Sequence, residues 1–347
     1  MEIYLLNVIL IIIYGVLYRL KGIKVKKLLF CLSICQLVLI CGLRNVETVG
    51  KDWTYYGKYY LLQLNWNFQQ LQDYTRYEIG FKILTKIISV IWNNKNFYAF
   101  ILATLSIVPI GYTIYKYSKL PFLSIIIYIS LDFYAFMFSG LRQAIAIAIL
   151  FYSYKYIVNN NKFKFILANL LAISCHYSSI VFLPIIFLRK IKLTRKKIIL
   201  IGIIGVIIFL GKNAIFSFIN TFFYDNYTSS VTNSYNWMLM CIGITCLCLI
   251  CYKKVIDNNK SANKLYVIVS IGAIMILFSP IVSDTLRIAN YFYIFIILLI
   301  PEVIYNIKKN NDKVSILTVT TFILFAIYIY LLKVDGYGIV PYKTFFM

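Results

Sequence analysis

Acid is scarce in this chain: twelve Asp and Glu stand against thirty-five Lys and Arg in 347 residues, with a single histidine. Carboxylates this sparse form no DxD pair for a divalent metal, and the sequence carries no recognisable zinc motif. The eight cysteines fall mostly inside apolar stretches, where a thiol commonly behaves as a small hydrophobe, and no chemistry is assigned to them. A P-loop and a GxSxG nucleophile elbow are both absent. These shortages exclude zinc, nucleotide and serine-hydrolase chemistry of the familiar kinds. Charged residues of either sign make up only 14% of the chain, too few to clothe an ordinary soluble domain.

What replaces charge is hydrocarbon. The sequence is 61% hydrophobic, with a mean hydropathy of +0.81. Apolar stretches of roughly 17 to 22 residues recur, each long enough for a hydrocarbon core of about 30 Å. Backbone polar groups in lipid must be paired internally, which leaves helices or a closed barrel. The runs are continuous and do not alternate, so the expectation is an all-α, polytopic integral membrane protein, taken as one domain over 1–347. The first stretch has no basic segment before it and no small-residue cleavage site, so it reads as a retained span.

The net charge of +23 does not point to nucleic acid, because the basic residues sit in short connectors between spans. They group at 19–27, 116–119, 155–164, 189–197, 253–264 and 308–313. The positive-inside rule puts all six groups in the cytoplasm, so an even number of crossings must separate them. Parity then decides one segment. "EIGFKILTKIISVIW" carries Lys82 and Lys86 four apart on one helical face, and as a short amphipathic helix it can lie in the interface. Demoting it leaves an outer loop with an interfacial helix at about 44–92. About twelve spans remain, near 2–19, 28–43, 97–115, 120–138, 141–158, 163–175, 177–188, 198–219, 237–251, 265–282, 287–306 and 314–332. Both termini fall outside. No internal repeat is visible, which weighs against a transporter. The sequon "NYT" at 226–228 is treated as chance, and the loop near 220–236 is short for an O-antigen ligase.

In this layout the unusual polar residues share the outer side. "SGLRQAIAIAIL" opens a span with Arg142 and Gln143. Arginine buried in lipid costs about 3 kcal/mol on insertion scales, so its place at a helix N-terminus reads either as an anion site or as a side chain snorkelling to headgroups. "SDTLRIANYF" repeats the arrangement with Asp284 and Arg287. The loop "CGLRNVETVGKDWTYYGKYY" supplies Arg44, Asp52, Tyr55, Tyr56 and Tyr59, and Glu78 opens the interfacial helix. The bland readings are a flanking charge for Arg44 and an aromatic belt for the tyrosines. His176 lies between basic turns at 155–164 and 189–197, so 163–188 goes up and comes back in arms of about 12 to 14 residues, roughly 18–21 Å each. Those arms are too short to cross, and His176 at their tip is expected in a recessed, outward-facing cavity with Ser178 and Ser179. Clustered arginines suit a phosphate or diphosphate, which leaves readily once its charge is neutralised. Only positioning, charge stabilisation and one base for an incoming hydroxyl are then required.

The ordered set "LRNVETVGKDWTYYGKYY", "RYEIGFKIL", "SGLRQAIAIAILFYSYKYI", "KFKFILANLLAISCHYSSIVFLP" and "LRIANYFYIFIILLIP" resembles the EpsG branch of Wzy-type polysaccharide polymerases, from about residue 40 to 301. The resemblance implies an enzyme of the bacterial cytoplasmic (inner) membrane whose active site faces outward. Such an enzyme moves a growing glycan from polyprenyl diphosphate to the non-reducing end of a lipid-linked repeat unit, needing no metal and no cofactor. Its implied partners are that lipid-linked oligosaccharide, the bilayer, a flippase delivering the unit and a chain-length regulator. By motif, Arg142 and Gln143 match the family's RQ, His176 its histidine, Arg287 its late arginine, and Arg44 and Asp52 its loop. "VGKDWTYY" departs from the usual Gly-Thr/Ser-Asp-Tyr run there. The implied roles are diphosphate binding for Arg142 and Arg287 with Arg44 assisting at the mouth. His176 is general base or orients the acceptor hydroxyl, and Asp284 or Asp52 could share that task; Tyr56 and Glu78 join the substrate-binding set. Rival readings are another lipid-linked glycosyltransferase, an O-antigen ligase, or a flippase-type transporter.

Overall fold

The computed structural model describes residues 1–20, 22–188, 190–223, 234–281, 284–307 and 310–346. Among the described residues 79% are helical and there is no strand. Two compact units form: Met1–Ile180 with Ile307–Met347, and Val181–Asn306. The late loop and the sequon at 226–228 lie outside the described residues, apart from the loop's ends.

The first unit contains α1 (Glu2–Leu20), α2 (Ile23–Gly42), α3 (Trp53–Leu62), α4 (Phe68–Asp73), α5 (Ile79–Ile91), α6 (Lys95–Tyr117), α7 (Pro121–Ser130), α8 (Phe133–Phe136), α9 (Leu141–Tyr152), α10 (Tyr154–Val158) and α11 (Lys162–Cys175). A 3₁₀ turn at Tyr177–Phe182 then leads into the second unit, with α12 (Ile185–Leu188), α13 (Arg195–Phe223), α14 (Tyr235–Ile250), α15 (Tyr252–Asn258), α16 (Asn263–Ile276), α17 (Asp284–Tyr293) and α18 (Ile296–Tyr305). The last helix, α19 (Asn310–Val334), returns to the first unit and packs on α7.

Among the described residues five helices are long and apolar enough to cross a membrane: α1, α2, α6, α13 and α19. The bent pairs α14–α15 (53°) and α17–α18 (45°) raise the number to seven. The sequence layout had about twelve, and the difference has a physical origin. Segment 120–138 is not one helix: α7 stops after ten residues and Asp132 takes a left-handed φ of 62°. Segment 141–158 is broken at Ser153 into α9 and α10. At 1.5 Å per residue, α11 with its 14 residues reaches about 21 Å, short of a full crossing.

Within the first unit the basic connectors between spans gather at one end. The connectors around 19–27, 116–119 and 155 meet through Tyr18–Phe122, Phe30–Tyr115 and Tyr117–Tyr154 ring contacts. The opposite end gathers the N-terminus, the loop after α2, the start of α9 and the C-terminal segment. There Tyr4 donates to the Ile339 carbonyl (2.9 Å), Asn45 N–H to Lys343 (2.7 Å) and Ser139 to Tyr337 (3.0 Å). Helix α5 begins and ends at this same end: Glu78 precedes it beside α9, and the Trp92 carbonyl after it accepts from Tyr60 (3.4 Å). At 13 residues, about 20 Å, it adds no crossing.

Its amphipathicity is inside out. Lys82 and Lys86 face inward, Lys82 donating to the Gln72 (3.0 Å) and Tyr74 (2.8 Å) carbonyls and Lys86 to Gln63 (2.9 Å) and Leu64 (2.7 Å). These carbonyls lie where α4 and the 3₁₀ turn Gln63–Asn65 end, and Gln72, Tyr74 and Leu64 have no backbone donor of their own there. Ile83, Ile87, Val90 and Ile91 are exposed instead. The tyrosines behave likewise. Trp53, Tyr56 and Tyr60 recur at helical spacing and are buried; Tyr60 stacks on Tyr98 at 4.6 Å and Tyr59 meets Tyr77 edge-on at 4.7 Å. They form the loop's core and not an aromatic belt, each ring pair adding about 0.5–1.5 kcal/mol beyond burial.

Arg44, which the sequence reading puts at the mouth as a phosphate ligand, is instead 1% exposed with every nitrogen engaged by the protein. Its Nε donates to the Val49 carbonyl (3.2 Å), Nη2 to Phe138 (3.1 Å) and Nη1 to Cys41, with the guanidinium lying 5.2 Å from the Phe138 ring. The irregular segment 131–140 explains the need: nearly all of it is buried, and irregular backbone at membrane depth persists only where protein satisfies it. Gly50, at φ 103°, lets the loop close onto the Phe138 carbonyl, which an added Cβ would meet at 2.4 Å. Arg44→Met should therefore strand buried carbonyls at about 1–3 kcal/mol each and lower the thermal midpoint of the purified protein, with Arg44→Lys in between. An unchanged midpoint with lost activity would return Arg44 to the binding site.

Candidate functional site

In the first unit three elements converge on one carboxylate. Glu78 occupies the N-cap position of α5 but makes no side-chain cap. It reaches out instead: Oε2 accepts from Arg142 Nη1 at 2.5 Å, and Oε1 contacts His176 Nδ1 at 3.0 Å and accepts the Tyr177 N–H at 2.9 Å. Side-chain exposures of 17–22% keep the three groups sheltered but reachable.

Each partner is placed by the end of a helix. Arg142 sits in the first turn of α9, beyond Gly140, and its guanidinium lies 4.5 Å from the Tyr77 ring centre. Tyr56 stacks on Tyr77 (5.7 Å, 21°), and its hydroxyl is within hydrogen-bonding reach of the same guanidinium. Burial, more than any other influence, pushes the Tyr56 hydroxyl pKa up, so it stays a neutral phenol. Arg142 Nε is buried without a protein partner, so the pair with Glu78 does not saturate the fork. His176 is the residue that ends α11: its N–H still bonds Ala172 (2.9 Å) while its own backbone is extended.

Gly80 makes the meeting possible. A Cβ there would stand 2.3 Å from Ser174 Oγ and 2.7 Å from the Ser174 carbonyl, so only glycine lets the start of α5 approach the end of α11. Gly80, Tyr77 and the Tyr177 N–H were not singled out from the sequence. "RYEIGFKIL" contained the first two, but nothing in the string says which helix it crosses.

Burial works to raise the Glu78 pKa. The hydrogen bonds from His176 and the Tyr177 N–H, with the charge of Arg142, outweigh it and hold the group at about 2. The start of a helix favours the same anion. A carboxylate ionised at neutral pH can only accept, so the proton between Glu78 and His176 resides on Nδ1. In a neutral imidazole that tautomer leaves the Nε2 lone pair as an acceptor, the arrangement of an oriented base.

Other expected site residues fall as follows. Asp52 is half-buried at the start of α3 without capping it, close enough to Tyr56 for its charge to act there. Gln143 is buried beside Arg142. Asp284 opens α17 in the second unit, and Arg287 is exposed one turn later. Cavities of about 680 and 620 Å³ in the first unit lie toward the basic end, away from this cluster. All eight cysteines are free thiols, including the pair Cys248 and Cys251 in CxxC spacing. Among the described residues no group of three or more His, Cys, Asp or Glu could hold a metal ion.

A family model described as the EpsG family matches residues 27–344, nearly the whole chain. No curated protein and no solved structure matches.

A depressed carboxylate pKa sets a pH signature. The stability Glu78 contributes is fully present above its ordinary value near 4.5 and is lost as pH falls toward about 2. The difference in thermal midpoint between the natural protein and Glu78→Gln should be constant above about pH 5 and shrink below it. A difference that does not change with pH would mean that the ionised carboxylate holds nothing together.

Proposed function

The chain belongs to the EpsG family, whose role is polymerase-like work in polysaccharide biosynthesis at a membrane, and on that premise we propose a reaction for the Glu78 cluster. The protein is a metal-independent glycosyltransferase that lengthens a surface glycan on polyprenyl diphosphate. An acceptor hydroxyl of a lipid-linked repeat unit attacks the anomeric carbon of the growing chain. The new C–O bond forms as the bond to the diphosphate breaks, and the hydroxyl proton passes to His176 Nε2. The departing diphosphate carries the electron pair away, and Arg142 offsets its charge with the donors that Glu78 leaves over. Glu78 orients the imidazole and balances the imidazolium that forms.

The single observation that supports this reading is one carboxylate shared by Arg142 and His176, which sets an anion-binding fork beside a base of defined tautomer. For Arg287 the reading rests on its motif alone and assigns it phosphate binding. Arg44 has no part in it. The outward face is supported by the basic connectors, which the positive-inside rule puts on the cytoplasmic side, and the inner membrane is what the family's membrane role suggests.

The test is reconstitution of the full chain in lipid with a polyprenyl-diphosphate repeat unit from its own gene neighbourhood, products being resolved on a gel. The natural protein should give a ladder of repeats. His176→Ala should lower it by about 10²–10⁴-fold, the range a positioned base supplies. Arg142→Lys keeps the charge but not the fork and should also be impaired. Full polymer from His176→Ala would remove that residue from the mechanism. Unchanged repeat unit moved across the bilayer would make the protein a transporter.

A further inference from the structure

Away from the Glu78 cluster, at the basic end of the first unit, α1, α7 and α19 enclose a groove of about 620 Å³. Its lining is apolar, with Ile12 of α1, Phe122 and Ile126 of α7 and Phe325 of α19, and with Val16 and Phe322 exposed at its rim. Its mouth carries Arg19 and Lys119, both exposed. No carboxylate is among the lining residues. Lys26 adds a third cation beside the mouth, 5.4 Å from the ring of Tyr18, which lines the groove. From Arg19 to Ile12 is about 10 Å of helix and from Leu317 to Phe325 about 12 Å, most of the depth of one leaflet in a core of about 30 Å.

Connector cations that merely orient a membrane protein have no need of a cavity beneath them. Here two cations close an apolar slot of leaflet depth, and the slot opens where α1 and α19 expose their outer faces. We propose that this groove is a binding site for one anionic phospholipid of the leaflet at the basic end. The phosphate sits between Arg19 and Lys119, and an acyl chain lies along α7. Basic pockets between helices recognise anionic headgroups in this way, at about 1 kcal/mol per cation near the surface. The lipid bridges α1 to α19, whose sequences are almost the length of the chain apart. The site is independent of the reaction assigned to the Glu78 cluster.

The experiment titrates phosphatidylglycerol, and separately phosphatidylcholine, into the delipidated full chain in detergent, reading bound lipid by native mass spectrometry. The natural protein should retain one phosphatidylglycerol and hold phosphatidylcholine far more weakly. Arg19→Gln with Lys119→Gln should weaken phosphatidylglycerol about 30-fold, two cations' worth. Val16→Trp fills the slot from an exposed position, leaves both cations in place, and should displace the lipid. Equal affinity for the two lipids, or phosphatidylglycerol binding unchanged in either variant, would overturn the proposal.

Discussion

The architecture of the first unit turns on a carboxylate that must stay charged where charge is costly. Glu78 is sheltered, at the start of a short helix, and its ionised form survives because three donors from two other elements meet it. The pairing is mutual. Arg142 can open a strongly apolar helix because an acid waits beside it, and His176 can end another because its ring proton has an acceptor. Once Glu78 is fixed, the crossing of α5 over α11, the angle of the imidazole and the unsaturated fork of Arg142 follow together. Gly80 is the geometric condition for all of it.

The excess of cations over acids has a second explanation in the same unit. Arg44, Lys82 and Lys86 pair with no carboxylate; they donate to carbonyls that helices and an irregular segment leave without partners. A chain that breaks its helices where water is scarce needs donors at the breaks, and arginine and lysine bring several on one stem. Arginine therefore divides into two kinds here. Arg44 is consumed by backbone, whereas Arg142 is held by a carboxylate and keeps donors to offer.

Much of this could be read along the sequence. The helical membrane class follows from run length and hydropathy, whereas the parity count that set α5 aside assumed single spans at 120–138 and 141–158, which the structure breaks. The short arms around His176 follow from counting residues between the basic turns. What could not be read is three-dimensional. The string shows two lysines on one face of α5 but not that the face turns inward, because burial behind lipid inverts the usual amphipathic logic. It shows a long apolar run at 120–138 but not the left-handed residue at Asp132 that ends α7 early. Arg44 and Arg142 each head an unusual polar stretch, and only their surroundings separate the packing cation from the site cation.

The central claim is that Glu78 and His176 act as one unit. A double-mutant cycle on polymer formation measures this directly, using Glu78→Gln, His176→Ala and the two combined. If the carboxylate works mainly through the imidazole, Glu78→Gln should cost far less on top of His176→Ala than in the natural protein, the remainder being its hold on Arg142. Losses that multiply would mean that the two residues act separately, and would contradict the account.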